Sequence, residues 1–241
     1  YKGGAVVLSE GEGIFVNTTF SCNAALTLGG GGLQVNDPAQ FGLLSCTFVG
    51  NTARNPSLGQ SLNSENPMAS GGKVVNCIFA GNIASTYASV GVDLHVGSGG
   101  KAIVSYTSFG GEGTAYASSS GATGLDLTGG GIRYGDPLFV SPLGSVTNYL
   151  AGTGKKTLPL SESPVYWSAT KMRDILALDA HLLSSEGYLT NDDTNTWRKA
   201  ESHSPCIDSG DPDAPYAEEQ TPNGKRANLG CYGNTPWATM S

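Results

Sequence analysis

Basic residues are scarce in this chain. Lysine and arginine total 13 of 241 residues, and they come close together only at Lys155–Lys156, Arg198–Lys199 and Lys225–Arg226. The net charge is −7. That balance argues against a nucleic-acid partner, whose binding rests on neutralising phosphates. Long apolar runs are missing as well. Nothing approaches the ~18 residues that mark a bilayer-crossing helix, so no membrane span is expected in this segment. His95, His181 and His203 stand far apart and in no metal-ligand spacing. Charged residues are only 14%, but 39% of the chain is apolar, which excludes a disordered composition. No strict Gly-X-Y period exists, which excludes collagen.

Glycine is abundant instead, at 35 residues, about twice its usual ~7% share. Thirty of the 35 lie in residues 1–154, while residues 155–241 hold five glycines and 12 of the 20 acidic residues. The shift marks three parts: 1–142 as repeating coils, 143–178 as an insertion or connector, and 179–241 as final strands and a cap. Within the connector, residues 168–177 read as a short helix.

A repeat runs through the first part. Phe20-Ser21-Cys22-Asn23, Phe48-Val49-Gly50-Asn51 and Phe79-Ala80-Gly81-Asn82 are spaced by 28 and 31 residues, and Phe109-Gly110-Gly111 is a degenerate fourth copy. Glycine pairs precede an apolar stretch in each interval, as in Gly3-Gly4-Ala5-Val6, Gly31-Gly32-Leu33 and Gly71-Gly72-Lys73-Val74. Val75, Cys77 and Phe79 alternate as in a strand. One coil of ~30 residues cannot bury its own apolar face, but stacked coils can. Equivalent phenylalanines then form an inner aromatic ladder. Asn23, Asn51 and Asn82 stack at a turn, each amide serving the next coil's backbone. The expected fold is all-β: a right-handed parallel β-helix with an irregular C-terminal closing region.

These residues carry a resemblance. Gly-Gly-Ala-Val at 3–6 and the Phe-x-x-Asn copies resemble the repeats of right-handed parallel β-helix proteins of bacterial surfaces, such as the polymorphic outer-membrane proteins. Gly135-Asp136-Pro137-Leu138-Phe139, Ala180-His181-Leu182, Ser204-Pro205-Cys206-Ile207-Asp208-Ser209-Gly210-Asp211-Pro212 and Asn228-Leu229-Gly230-Cys231-Tyr232-Gly233 resemble the closing segment of large secreted β-helix proteins. The resemblance implies an extracellular or cell-surface location. It does not name an activity, because such relatives include lyases, adhesins and surface proteins.

Candidate chemistry is thin. Asp208, Asp211 and Asp213, with Glu218 and Glu219 nearby, are the best acidic cluster, and their oxygens on a tight turn make them calcium candidates. The competing reading has Asp208 accepting backbone N–H groups in a cap that closes the helix end, with Ile207, Leu229 and Tyr232 over the last coil. Asp192-Asp193 reads as an ordinary turn. The strand acids Asp93, Asp126, Glu10, Glu12 and Glu112 recur at no equivalent position and read as solvated charges, not as a glycosidase pair. His95 reads as structural. Cys46 and Cys77 should point inward, and Cys22 departs from their register. Cys206 and Cys231 are either a disulfide in the cap or two buried thiols. The loop Arg54–Ser70 is a binding loop or a tolerated insertion. Trp167, Trp197 and Trp237 are sugar platforms or packing residues.

The expected function is an extracellular or cell-surface structural or adhesive module. Its expected partners are other subunits or missing parts of the same chain, and a glycan. The chain begins at Tyr1 inside the repeat, without a polar cap, which reads as part of a longer protein or an assembly. The rival class is a polysaccharide lyase or glycoside hydrolase, which would show a basic residue beside clustered acids on neighbouring coils.

Overall fold

A computed structural model describes residues 3–25, 28–53, 55, 58–65, 71–84, 92–112, 115–118, 124–141, 178–191 and 195–241. Residues 143–177 of the connector, where the short helix was expected, Asp192-Asp193, Trp167 and parts of the 54–70 loop fall outside these residues.

The architecture is a parallel β-solenoid of about four turns. The first coil holds β1 (Val6–Leu8), β2 (Glu12–Val16), β3 (Thr19–Ser21) and β4 (Ala24–Ala25). The second holds β5 (Leu33–Val35), β6 (Gln40–Leu44), β7 (Thr47–Val49) and β8 (Thr52–Ala53). The third holds β9 (Gly59–Ser64), β10 (Gly72–Val75), β11 (Ile78–Ala80) and β12 (Ile83–Ala84). The fourth holds β13 (Val92–Val96), β14 (Ala102–Ser105) and β15 (Ser108–Phe109). The short strands β16 (Tyr116–Ser118), β17 (Leu125–Asp126) and β18 (Arg133–Tyr134) end the stack. Every fourth strand, and every third after the three-stranded fourth coil, joins the same sheet, giving β1-β5-β9-β13-β16, β2-β6-β10-β14-β17, β3-β7-β11-β15-β18 and β4-β8-β12. The parallel β-helix read from the repeat is the architecture observed.

Register explains the repeat. Phe20, Phe48, Phe79 and Phe109 pair in sequence along the third sheet. Their rings stack at 4.4, 4.8 and 5.1 Å between centroids. Tyr134 adds a fifth ring at 6.4 Å that the Phe spacing did not announce. Cys46 and Cys77 lie fully buried inside, as expected. The chain turns into this sheet through a residue with positive φ three places before each ring: Asn17, Ser45, Asn76, Tyr106 and, at the last rung, Gly131. It leaves through a second such residue, Gly50 or Gly81. Cys22 takes that glycine-favouring position in the first coil, at φ 54°, which is why it falls out of register with the inward cysteines.

The asparagine ladder forms at this second corner. Asn51 Oδ1 accepts the Asn23 backbone N–H at 3.1 Å, and Asn82 Oδ1 accepts that of Asn51 at 2.8 Å. Asn51 Nδ2 donates to Phe20 O, and Asn82 Nδ2 to Phe48 O. The ladder ends on Asp93, whose Oδ1 accepts from Asn82 Nδ2 at 2.8 Å. Asp93 is therefore not the solvated charge expected. It is buried, and burial lifts its carboxyl to about 7 against the pull of that hydrogen bond. Asp126, Glu10, Glu12 and Glu112 are exposed as expected.

A second polar ladder runs along the outer face of the first sheet. Asn63 Nδ2 donates to Gln34 Oε1, so Asn63 Oδ1 is free to accept from His95 Nδ1 at 2.8 Å. His95 is structural, as its alternation with Leu94 and Val96 implied.

The closing region differs from expectation in its place. It does not sit over the last coil. It runs along the flank, against the outer face of the third sheet. Val49, Ile78 and Ala80 point outward there and pack with Phe139, Ala180, Leu182, Cys206, Ile207, Leu229 and Cys231 in a second apolar core. Hence β7 and β11 are buried on both faces. Hydrogen bonds repeat the placement. Asn17 Nδ2 donates to Cys231 O and Gly233 O, Cys231 N–H to Thr47 Oγ1, and Gly230 N–H to Asn76 O. Arg226 lies over the Tyr106 ring. A small antiparallel pair, β19 (Phe139–Ser141) and β20 (Asp179–Leu182), belongs to the same flank. Cys206 and Cys231 are separate thiols, not a disulfide. No helix among the described residues is long and apolar enough to cross a membrane.

Candidate functional site

Strand β20 builds one wall of a cavity. Successive side chains alternate between faces, so Ala180 and Leu182 enter the second core while Asp179 and His181 share the other face. His181 Nδ1 lies 2.7 Å from Asp179 Oδ1. The same oxygen accepts the His181 backbone N–H at 3.0 Å, and Asp179 Oδ2 accepts the Asn191 N–H at 2.7 Å. Burial pulls the Asp179 carboxyl upward, but these hydrogen bonds and the imidazole outweigh it and hold the group below its ordinary value. An ionised Asp179 fixes the ring's proton on Nδ1 and leaves Nε2 as an acceptor in the neutral ring.

The other side of the imidazole is equally constrained. The Tyr232 ring stacks on it at 3.7 Å between centroids with 9° between planes. Tyr232 Oη donates to Asn191 Oδ1 at 3.2 Å, and burial raises the phenol above its ordinary value. The base is tied down by Ser184, whose Oγ donates to Met240 O, and by Thr239 Oγ1, which donates to Leu182 O.

His181, Leu189, Thr190, Asn191, Asn195, Tyr232 and Trp237 line an open cavity of about 450 Å³. Trp237 is 56% exposed at its edge. Among the described residues, His181 Nε2 and Thr190 Oγ1 are buried from solvent without a hydrogen-bond partner. The arrangement offers an exposed indole beside polar side chains.

The acidic candidates lie elsewhere on the flank, and the carboxylates of Asp208 and Asp211 serve the backbone. Asp208, at φ 50°, donates its N–H to Asn228 Oδ1 and accepts the Gly224 N–H at 3.0 Å on Oδ1. Asp211 Oδ1 accepts the Asp213 N–H at 3.0 Å. Among the described residues no three His, Cys, Asp or Glu side chains converge so as to hold a metal ion. Glu219 Oε1 accepts the N–H groups of Asn228 and Asn234, and burial lifts this carboxyl to about 7.

Sequence reasoning left Trp237 as a sugar platform or a packing residue, and the structure places it exposed at the cavity edge. It missed Asp179 and His181 as a pair. Their spacing of two on a strand was the available signal. Asn191 and Tyr232 carried none, because 41 residues separate them.

Comparison of the chain with protein-family models, with curated proteins and with solved structures finds no match.

Proposed function

We propose that this chain is an extracellular or cell-surface structural and adhesive module, a rigid solenoid that contacts a glycan through its flank cavity and works within a larger protein or assembly. The observation that carries the reading is Trp237, an indole 56% exposed at the edge of a cavity otherwise lined mostly by polar side chains. An exposed aromatic beside polar groups suits a ligand with one apolar face and many hydroxyls. The outer face of the second sheet supports the assembly part. Ile14, Val16, Leu44 and Ile103 are 66, 49, 40 and 42% exposed there, on neighbouring or nearby strands. Ile14, Val16 and Leu44 form an exposed apolar patch on β2 and β6, set apart from Ile103 by the exposed Lys73, and such a patch suits contact with another protein surface.

The test is retention on immobilised polysaccharides, with reducing ends and unsaturated sugars assayed in parallel. Retention without turnover, lost on Trp237→Ala, is the expected result. Turnover would favour the lyase or hydrolase class instead.

A further inference from the structure

We propose that the outer face of the second sheet pairs with the same face of a second copy of the chain, in a twofold dimer held by two Glu12–Lys101 ion pairs. This rests on the assembly reading and names the partner.

Strand register makes this face a grid. Outward side chains alternate with inward ones along each strand, and in-register parallel pairing lines them up in rows across the coils. In the first row Glu12 pairs with Gln40, and Lys101 falls on the same row two coils further on. The second row reads Ile14, Gly42, Lys73 and Ile103 from the first coil to the fourth. In the third, Leu44 and Val75 stand side by side in the middle coils. Glu12 and Lys101 are exposed and three rungs apart, roughly 14 Å, so they cannot pair within one chain. Neither has an ion-pair partner among the described residues.

The pattern is self-complementary. A twofold axis along the strands, between the second and third coils, sets the first coil of one copy on the fourth of the other, and the second on the third. Each Glu12 then faces the other copy's Lys101. Ile14 meets Ile103, and Leu44 meets Val75. Lys73 lies over Gly42, where even an added Cβ would meet only the Ile14 side chain, at 3.7 Å, so the lysine stem has a slot. The other twofold, about the solenoid axis, would set Lys73 on Lys73 and Glu12 on Val16. The four rungs span roughly 19 by 17 Å, well below the ~800 Å² per partner of a standard interface, so the dimer is weak and reversible.

Sedimentation equilibrium of the purified chain from about 10 μM to about 1 mM is the test. A monomer–dimer equilibrium is expected. Glu12→Lys and Lys101→Glu should each weaken it at least about tenfold and leave the melting temperature unchanged, since both positions are exposed. Glu12→Lys also reduces the repulsion between two chains of net charge −7, so overall charge would push that variant the other way. Mixing the two variants should restore dimers, because both cross-pairs are again opposite in charge. A mixture that stays monomeric overturns the register. Dimers indifferent to both reversals overturn the face and leave the assembly reading standing. A chain monomeric to about 1 mM overturns the second-copy partner. The native size of the protein extracted from its source without denaturant then separates the two readings: a species no larger than its own polypeptide sinks the assembly reading as well, and a larger one leaves it standing.

Discussion

Asn76 Oδ1 accepts the backbone N–H of Asp211 at 2.6 Å, across 135 residues of sequence. The bond ties a corner of the third coil to the closing turn, and Asn76 itself sits at φ 55°. Two substitutions separate its contributions. Asn76→Gly keeps the backbone and strands the Asp211 N–H, at an expected cost of about 1–3 kcal/mol. Asn76→Ala adds a left-handed penalty of roughly 1–2 kcal/mol. Urea denaturation should rank wild type above Gly and Gly above Ala. A Gly variant as stable as wild type would show that the bond contributes nothing.

Asn51 stands in the middle of the asparagine ladder and is fully buried. Its side chain serves the Asn23 N–H and the Phe20 carbonyl at once. Asn51→Ala leaves both unpaired, with an expected loss of about 2–5 kcal/mol, while Asn23→Ala, at the half-buried end of the ladder, should cost less. Thermal midpoints of the two variants decide it.

Asp93 and Glu219 set the pH dependence. Burial raises both to about 7, from ordinary values of 3.8 and 4.5. Between those values the folded chain holds protons that the unfolded chain has released. Stability therefore declines as pH rises from about 4 to 7. Asp179 acts oppositely: its carboxyl is lowered, and its contribution is lost as pH falls through its folded pKa. The optimum is expected in mild acid. Asp93→Asn keeps an acceptor for Asn82 and should flatten the decline, raising the urea midpoint at pH 8 relative to wild type. A parent protein more stable at pH 8 than at pH 5 would contradict this.

Asp208 is the residue on which the calcium reading turns. Its carboxylate meets the Gly224 N–H, and its backbone lies in the left-handed region that asparagine tolerates. Asp208→Asn should cost less than about 1 kcal/mol and Asp208→Ala about 1–3 kcal/mol. EDTA should leave the thermal midpoint unchanged. If chelation lowers it by several degrees and Asp208→Asn abolishes that sensitivity, Asp208 is a metal ligand.

The solenoid was legible because each coil makes the same demands of its residues. Phe20, Phe48 and Phe79 fill one column and Asn23, Asn51 and Asn82 another, so the physics is written several times over. Tyr134 escaped because it enters the column without the Phe-x-x-Asn signature. Asp93 escaped because it appears once, as the terminator of a ladder rather than a member of it. The motifs at 204–212 and 228–233 announced a closing segment but not which surface it closes. That depended on Val49, Ile78 and Ala80, outward residues whose apolar character shows only after the inward column is assigned. The cavity was least legible, since its described walls come from β20, from residues 189–191 and 195, and from the last ten residues.

The route of the closing segment changes how the coils depend on one another. It touches Asn17 in the first, Thr47 in the second, Asn76 in the third and Tyr106 in the fourth. In a bare stack each coil meets only its neighbours, and the ends can melt while the middle stands. A fastener along the side gives non-adjacent coils a shared partner. Fraying at the first coil then breaks contacts that also steady the third and fourth, so the molecule loses its structure cooperatively, as one body rather than rung by rung.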